Sequence, residues 1–314
     1  MRYFLCLAEQ GNVTRAARQL NIVQPALSMQ IARLEAKLGQ KLFDRGAQGV
    51  TLTAAGAKLA QLVSPILRDA ESAKQEMGRL KGRIHGRVSV GVVTSVAQST
   101  LASSAAKIAA AYPDVFMSAC EGYTETLADW VTAGQLDIAI INVSGKRSPL
   151  AVHHLLDEEM VVAYRADAAH DQNKALPFEH LGRLNLALPS KRHGLRAILD
   201  THAANAGINL TPKLELDNLS ALCDLAAATD FVTVLPVIAL SQYLTAGTLR
   251  ARRFVRRHIV RPIAWVHHSR RTVPPAVKAV LDVISRDLAD AAATAKSHIQ
   301  AASAARDDSS RSTR

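Results

Sequence analysis

The chain has 314 residues, enough for two or three domains and a substantial core. Its 38 Lys and Arg outnumber 27 Asp and Glu, a net charge of +11 that attracts polyanions before any motif is considered. No run approaches the ~18–20 apolar residues of a membrane span, and the widely spaced Cys6, Cys120 and Cys223 give neither a disulfide framework nor a metal cluster, so a cytoplasmic protein with reduced core thiols, no cofactor, no metal and no membrane partner is expected.

The charge is uneven. Residues 1–87 hold 14 basic and 6 acidic side chains, so +8 of the +11 lies there, as in a nucleic-acid-binding head on a nearly neutral module. The apolar opening up to Leu7 is too short for a signal peptide and is followed by Glu9. Residues 14–20 read as a short helix with Ala16, Ala17 and Leu20 inward, and three residues then lead to a second helix. In that helix Leu27, Ile31, Leu34 and Leu38, spaced 4, 3 and 4, form a stripe expected to be buried. Pro25 suits its first turn, and Gln24 is a poor cap.

The opposite face carries Pro25, Ser28, Met29, Ala32, Arg33 and Ala36. In a helix-turn-helix this face enters the major groove. Ala32 and Ala36 then allow close approach, Arg33 reaches a guanine edge or phosphate, and Ser28 bonds either. Met29 lies about 200° around the helix from Leu27, where an apolar contact with a thymine methyl suits it. For an isolated helix pair, ordinary solvated positions explain the same pattern equally well.

The stretch from Arg2 to Gly56 breaks that tie. Its combination of A-A-x-x-L, Q-P-A-L-S, L-E-x-x-L-G, L-F-x-R and L-T-x-A-G resembles the winged helix-turn-helix of the LysR-type transcriptional regulators. Gly46, Gly49 and the alternating Val50 and Leu52 fit its β-wing, with Arg45 at a phosphate. The resemblance implies a DNA-contacting set of Thr14, Gln24, Pro25, Ser28, Met29, Arg33, Arg45, Thr51 and Thr53. The family carries several more residues before Arg2, and often Ser where this chain has Val23.

From a cap at Thr53, the residues Leu59, Val63, Ile66, Ala70, Ala73, Met77, Leu80 and Ile84 repeat at 4, 3, 4, 3, 4, 3, 4, a coiled-coil seam that implies a dimer. Leu59 to Leu80 are the expected dimerisation residues, and the family also dimerises through this helix. Pro65 is expected to kink or divide it, and Gly82 and Gly86 to form a hinge.

From residue 87 strands alternate with helices, the pattern of a parallel α/β sheet. Strands are expected at 88–93, 115–120, 136–142, 186–188, 213–216 and 231–235, and helices at 99–112, 124–133, 194–206 and 219–228. Two lobes separated by a middle region at about 151–185 suggest a ligand cleft at the strand ends. The phrases "GRVSVGVVTSVA", "LADWVTAGQLDIAI" and "DFVTVLP" resemble the family's effector domain. The resemblance implies an effector between the lobes and a return of residues 262–268 and 274–289 to the first. Thr94, Ser95, Thr124, Ser190 and His193 are the candidate contacts, and helix N-termini there favour an anion. The eight arginines of 250–271 read as a solvated pair of edge strands. The pairs His153-His154 and His267-His268 lack metal-ligand company at standard spacing.

The expected fold is therefore α/β, with a winged helix-turn-helix at 1–57, a linker and dimerisation helix with hinge at 58–86, and a two-lobed periplasmic-binding-protein-like effector domain at 87–290. Its lobes fall at about 87–156 with 262–290, and about 157–261. A disordered tail is expected at 291–314. The function implied is promoter binding or bending by a bacterial homodimer or homotetramer, modulated by a small anionic effector, with RNA polymerase a further partner if it activates. A ligand-binding protein whose head only oligomerises, and an α/β enzyme, leave the charge asymmetry unexplained, and no catalytic motif supports the latter.

Overall fold

A computed structural model describes residues 1–46, 49–79, 84–143, 149–168 and 175–304, without side-chain detail at 68, 71–72, 74–79 and 300–304. The first compact unit holds Met1–Ile84 and the second most of the chain from His85 onward.

The first unit is α1 (Arg2–Gln10), α2 (Val13–Gln19), α3 (Gln24–Leu38), the strands β1 (Phe43–Gly46) and β2 (Gly49–Leu52), and α4 (Ala54–Arg79). Phe4, Leu7, Ala16, Ala17, Leu27, Ile31 and Leu42 close its core. Asn12 caps α2 by accepting from Arg15 N at 3.0 Å. Val23, not Gln24, precedes α3 and offers no side-chain cap, so the Val23 carbonyl receives Ala26 N and Leu27 N instead. The expected stripe is buried only at its start. Leu34 is half-buried and Leu38 is 43% exposed, because the last turn of α3 runs past the small core.

The wing is an antiparallel hairpin pairing Phe43 with Leu52 and Gly46 with Gly49. Gly49 sits at φ 125°, and a Cβ there would meet Gly11 O at 2.4 Å. Gly56 likewise lies where a Cβ would reach Leu42 O at 2.1 Å. These close approaches explain two glycines of the motif. Glu35 supplies the other tie, its Oε1 accepting Leu42 N at 2.8 Å and Phe43 N at 3.4 Å.

The helix α4 runs without a break through Pro65, so the expected division does not occur. The seam also differs from the heptad reading. Val63 is 4% exposed and Leu59 packs on the head core, whereas Leu62 and Ile66 are 56% and 64% exposed and Ala70 and Ala73 are also exposed. The first turns of α4 spend one apolar edge on their own unit, so the free stripe is Leu62, Ile66, Ala70 and Ala73. The side chain of Met77, and all of Leu80 and Gly82, lie outside the described residues.

The second unit begins with β3 (Gly86–Val92), then α5 (Thr94–Val96), a π-helical turn at Ala97–Leu101, α6 (Ala102–Ala111), β4 (Val115–Glu121), α7 (Thr124–Thr132), β5 (Ile138–Asn142) and β6 (Leu150–Arg165). Next come a 3-10 turn at Phe178–Arg183, β7 (Ala187–Leu188), α8 (Gly194–Asn205), β8 (Leu214–Glu215), α9 (Leu219–Ala228) and β9 (Thr233–Pro236). A second 3-10 turn at Val237–Leu240, α10 (Ser241–Thr245), β10 (Leu249–Arg252), β11 (Val260–His268) and α11 (Pro275–Ala304) complete the order.

Seven strands make one mixed sheet in the order β10-β6-β11-β5-β3-β4, with β9 also on β6. Parallel pairing holds for β3 with β4 and β5 and for the small β7-β8 pair, while β6, β9, β10 and β11 pair antiparallel. The all-parallel expectation fails because the chain crosses between lobes along two long strands, β6 and β11, with no helix between sheet neighbours to reverse direction. The return of β11 to β5 matches the insertion expected from the resemblance. The arginine-rich stretch is corrected in part, since β11 is internal to the sheet and Arg261 is buried. The tail expected to be disordered from 291 is helical as far as Ala304, because Ala292, Ala295 and Ile299, spaced 3 and 4, are buried.

Candidate nucleic-acid interface and effector cleft

The outer face of α3 is open. Pro25, Met29, Ala32, Arg33 and Ala36 are exposed, Met29 to 49%, and Ser28 is half-buried. Among the described residues, the side chains of Thr14, Gln24, Ser28, Arg33, Arg45 and Thr51 make no hydrogen bond or ion pair within the chain, which leaves their donors available to another molecule. A concavity of about 320 Å³ lies between α3 and the wing, bounded by Ser28, Ala32, Lys41, Asp44, Arg45 and Val50 among others. Recognition-helix and wing side chains thus border one groove.

Thr53 is different. Its hydroxyl donates to Lys41 O at 2.7 Å and accepts Gly56 N at 3.0 Å, capping α4. Its only proton is spent, so none remains for a phosphate oxygen.

In the second unit the expected contacts fall into two clusters. Thr94 donates to Glu121 Oε1 at 2.7 Å. Buried Ser95 accepts from Arg261 Nη2 at 2.6 Å, and the Arg261 Nε donates to Glu158 Oε2 at 2.6 Å. Burial pushes the Glu158 carboxyl up while Arg261 opposes the shift. Across the cleft, Ser190 donates to Asp217 from both N and Oγ, at 2.9 and 3.0 Å. Burial pulls Asp217 upward, but these Ser190 bonds, with His193 and Tyr123, hold it below the usual carboxylate range. His193 caps α8, its Nδ1 accepting Leu195 N at 3.2 Å. Burial, then the Arg261 charge, lowers its pKa against the pull of Asp217, so the ring is held neutral.

Two lobe-bridging residues escaped sequence reading. The Tyr123 hydroxyl donates to Asp217 at 3.4 Å, and its ring meets His193 edge-on at 5.6 Å. Gln98 Nε2 donates to Ser220 Oγ at 2.8 Å. Tyr123 had a usable signal, being an exposed aromatic beside Thr124 at the N-terminus of α7. Arg261 had none, since eight arginines in one stretch look alike. Thr124 is half-buried at the first position of α7, and no bond ties it to the others.

The groove and the cleft are shared with known proteins. The family described as "LysR substrate binding domain" matches residues 81–289, and "Bacterial regulatory helix-turn-helix protein, lysR family" matches 1–57. The probable hydrogen peroxide-inducible genes activator of Streptomyces viridosporus is 30% identical over 258 residues, 81% of this chain and 82% of that protein. The nitrogen assimilation regulatory protein nac of Escherichia coli is 29% identical over 239 residues, 75% of this chain and 77% of that protein. Full-length OxyR from Pseudomonas aeruginosa superimposes with a TM-score of 0.72 at 22% identity, covering 91% of this chain and 92% of that one. Full-length CbnR complexed with its target DNA gives 0.62 at 20% identity, covering 91% and 98%. With both halves matched in order, the chain belongs to the LysR family of DNA-binding transcriptional regulators, with an effector-binding domain behind its helix-turn-helix head.

Proposed function

We propose that α3 of this regulator reads promoter DNA through Ser28, Met29 and Arg33, that Arg45 and Thr51 on the wing and Thr14 on α2 meet phosphates, and that Gln24 and Pro25 seat the helix start against the backbone. The observation that carries this is the open outer face of α3, whose polar side chains have no partner among the described residues while its inner face fills the core. The free apolar stripe of α4, Leu62, Ile66, Ala70 and Ala73, suits a second copy, and two heads are needed to span two half-sites. A purified-chain mobility shift on the fragment upstream of its own reading frame tests the reading. Salt-sensitive binding that prefers this fragment supports it, and binding with neither salt dependence nor preference sinks it.

The effector is read as a small molecule that opens or tightens the Tyr123, Asp217, Ser190 and His193 cluster. A simple anion is the weaker fit to the charges there. Arg261 is already paired with Glu158, and Glu121 and Asp217 add carboxylates on the two sides. A molecule with hydrogen-bond donors as well as an acceptor suits this set better. Peroxide sensing, suggested by the name of one relative, fits poorly. Burial raises Cys6, Cys120 and Cys223, the last to about 12, whereas a peroxide-reactive cysteine needs its thiolate.

A further inference from the structure

The sequence offers His153 and His267 as members of separate histidine pairs 114 residues apart. The antiparallel register of β6 and β11 sets Trp265 opposite His153 and His267 opposite Ala151, so His153, Trp265 and His267 share one face of the sheet. The His153 ring stacks on Trp265 with centroids 4.1 Å apart and planes 12° apart, and His267 lies 5.1 Å from the same indole. The imidazole centroids are 5.3 Å apart, yet the two Nε2 atoms are only 3.2 Å apart, so the Nε2 ends are turned toward each other. His153 is exposed and His267 half-buried, so solvent reaches the pair.

We propose that His153 and His267 form a two-ligand site for a late first-row divalent cation, Cu(II) foremost. Two nitrogens each ~2.0–2.1 Å from one ion, at an angle of ~90–110°, stand ~2.9–3.4 Å apart, the range the pair already occupies. The tautomers suit this. His267 Nδ1 lies 3.1 Å from His268 O, and a carbonyl only accepts, so the proton of the neutral ring sits on Nδ1 and Nε2 presents a lone pair. A metal-ligating histidine ordinarily has this arrangement, its second nitrogen donating to a carbonyl. Burial, then His153, lowers the His267 pKa and favours the neutral, ligating ring. His153 donates its Nε2 proton to His267 in the empty pair. On binding, that proton moves to His153 Nδ1, both Nε2 lone pairs turn to the ion, and no net proton is lost. Among the described residues no group of three or more His, Cys, Asp or Glu could hold a metal, so water completes the coordination and the ion exchanges readily. Two imidazoles without a carboxylate select Cu(II) over Zn(II) and Ni(II) by the usual order of divalent affinities.

The test is a CuCl2 titration of the untagged full chain in a non-coordinating buffer, read by tryptophan fluorescence and by frozen-solution paramagnetic resonance. The chain has two tryptophans, and only Trp265 stacks on the pair. Saturable loss of the Trp265 emission at one equivalent, reversed by EDTA, with two equatorial nitrogens in the resonance spectrum, is the expected result. His153→Gln and His267→Gln should each raise the half-quenching concentration at least tenfold with an unchanged circular dichroism spectrum. A wild-type spectrum without two protein nitrogens, or a His153→Gln titration that overlays the wild type, overturns the proposal.

Discussion

The recognition helix and the interlobe cleft use polar residues in opposite ways. On α3 and the wing, Ser28, Arg33, Arg45 and Thr51 have no partner among the described residues and face outward. In the cleft Ser95, Ser190, His193, Asp217 and Arg261 are engaged with one another or with the backbone. A polyanion can therefore settle on the head without breaking internal bonds. A small molecule in the cleft must exchange bonds with those already made, and its influence is limited to the difference in its affinity for the two arrangements. The open site recruits and the latched site regulates.

Breaking the latch at its most buried point should have the largest effect. Arg261→Leu leaves Glu158 buried without its partner and should cost about 3–5 kcal/mol in urea unfolding of the second unit. The double variant Glu158→Gln, Arg261→Met should recover most of that loss. In the head, Gly56→Ala drives a Cβ against Leu42 O, 2.1 Å away, and should cost about 1–3 kcal/mol. DNA affinity should fall with the head's melting temperature while the second unit unfolds as before. On α4 the two adjacent apolar residues separate by role. Ile66→Glu should weaken self-association in sedimentation equilibrium at least tenfold, about 1.4 kcal/mol, with little loss of monomer stability. Val63→Ala should do the reverse, because Val63 is already buried within its own unit.

The smallest effect sharpens the latch by pH. The folded state lowers the His193 pKa, so the unfolded chain takes up its proton first as pH falls. The stability this residue contributes is complete above the ordinary histidine pKa of ~6.5 and is lost on acidification through the lower folded value. His193→Gln lacks the cap at every pH, so it should be less stable at pH 8 yet show a shallower decline toward pH 5 in urea midpoints. An unchanged slope would mean that His193 is solvated rather than latched.

The head was largely legible because its signals are local. Helix spacing, the Q-P turn and the wing glycines all act within a few residues, and only the end of the α3 stripe, the source of the α3 cap and the role of Glu35 needed coordinates. The heptad pattern in α4 was real as a pattern but ambiguous in use. Spacing alone cannot tell Val63, turned to its own unit, from Ile66, turned away. The second unit was legible as alternating elements and opaque as a site. β6 was missed since its sixteen residues mix exposed histidines with a buried run from Met160 to Tyr164, matching neither strand template throughout. Arg261 with Ser95, Tyr123 with Asp217 and His153 with His267 meet across separations of 166, 94 and 114 residues, which no local pattern encodes.

Met29 isolates the claim that the open face of α3 reads sequence. Purified wild type and Met29→Arg should be titrated by fluorescence anisotropy against one operator and its single-base variants at fixed salt. The account predicts tighter binding by the variant overall and a changed base preference at one position of each half-site, where a thymine methyl contact gives way to a guanidinium. An identical preference profile for the two proteins would contradict it, leaving Met29 as an exposed side chain and α3 as a helix that holds DNA without reading it at that position.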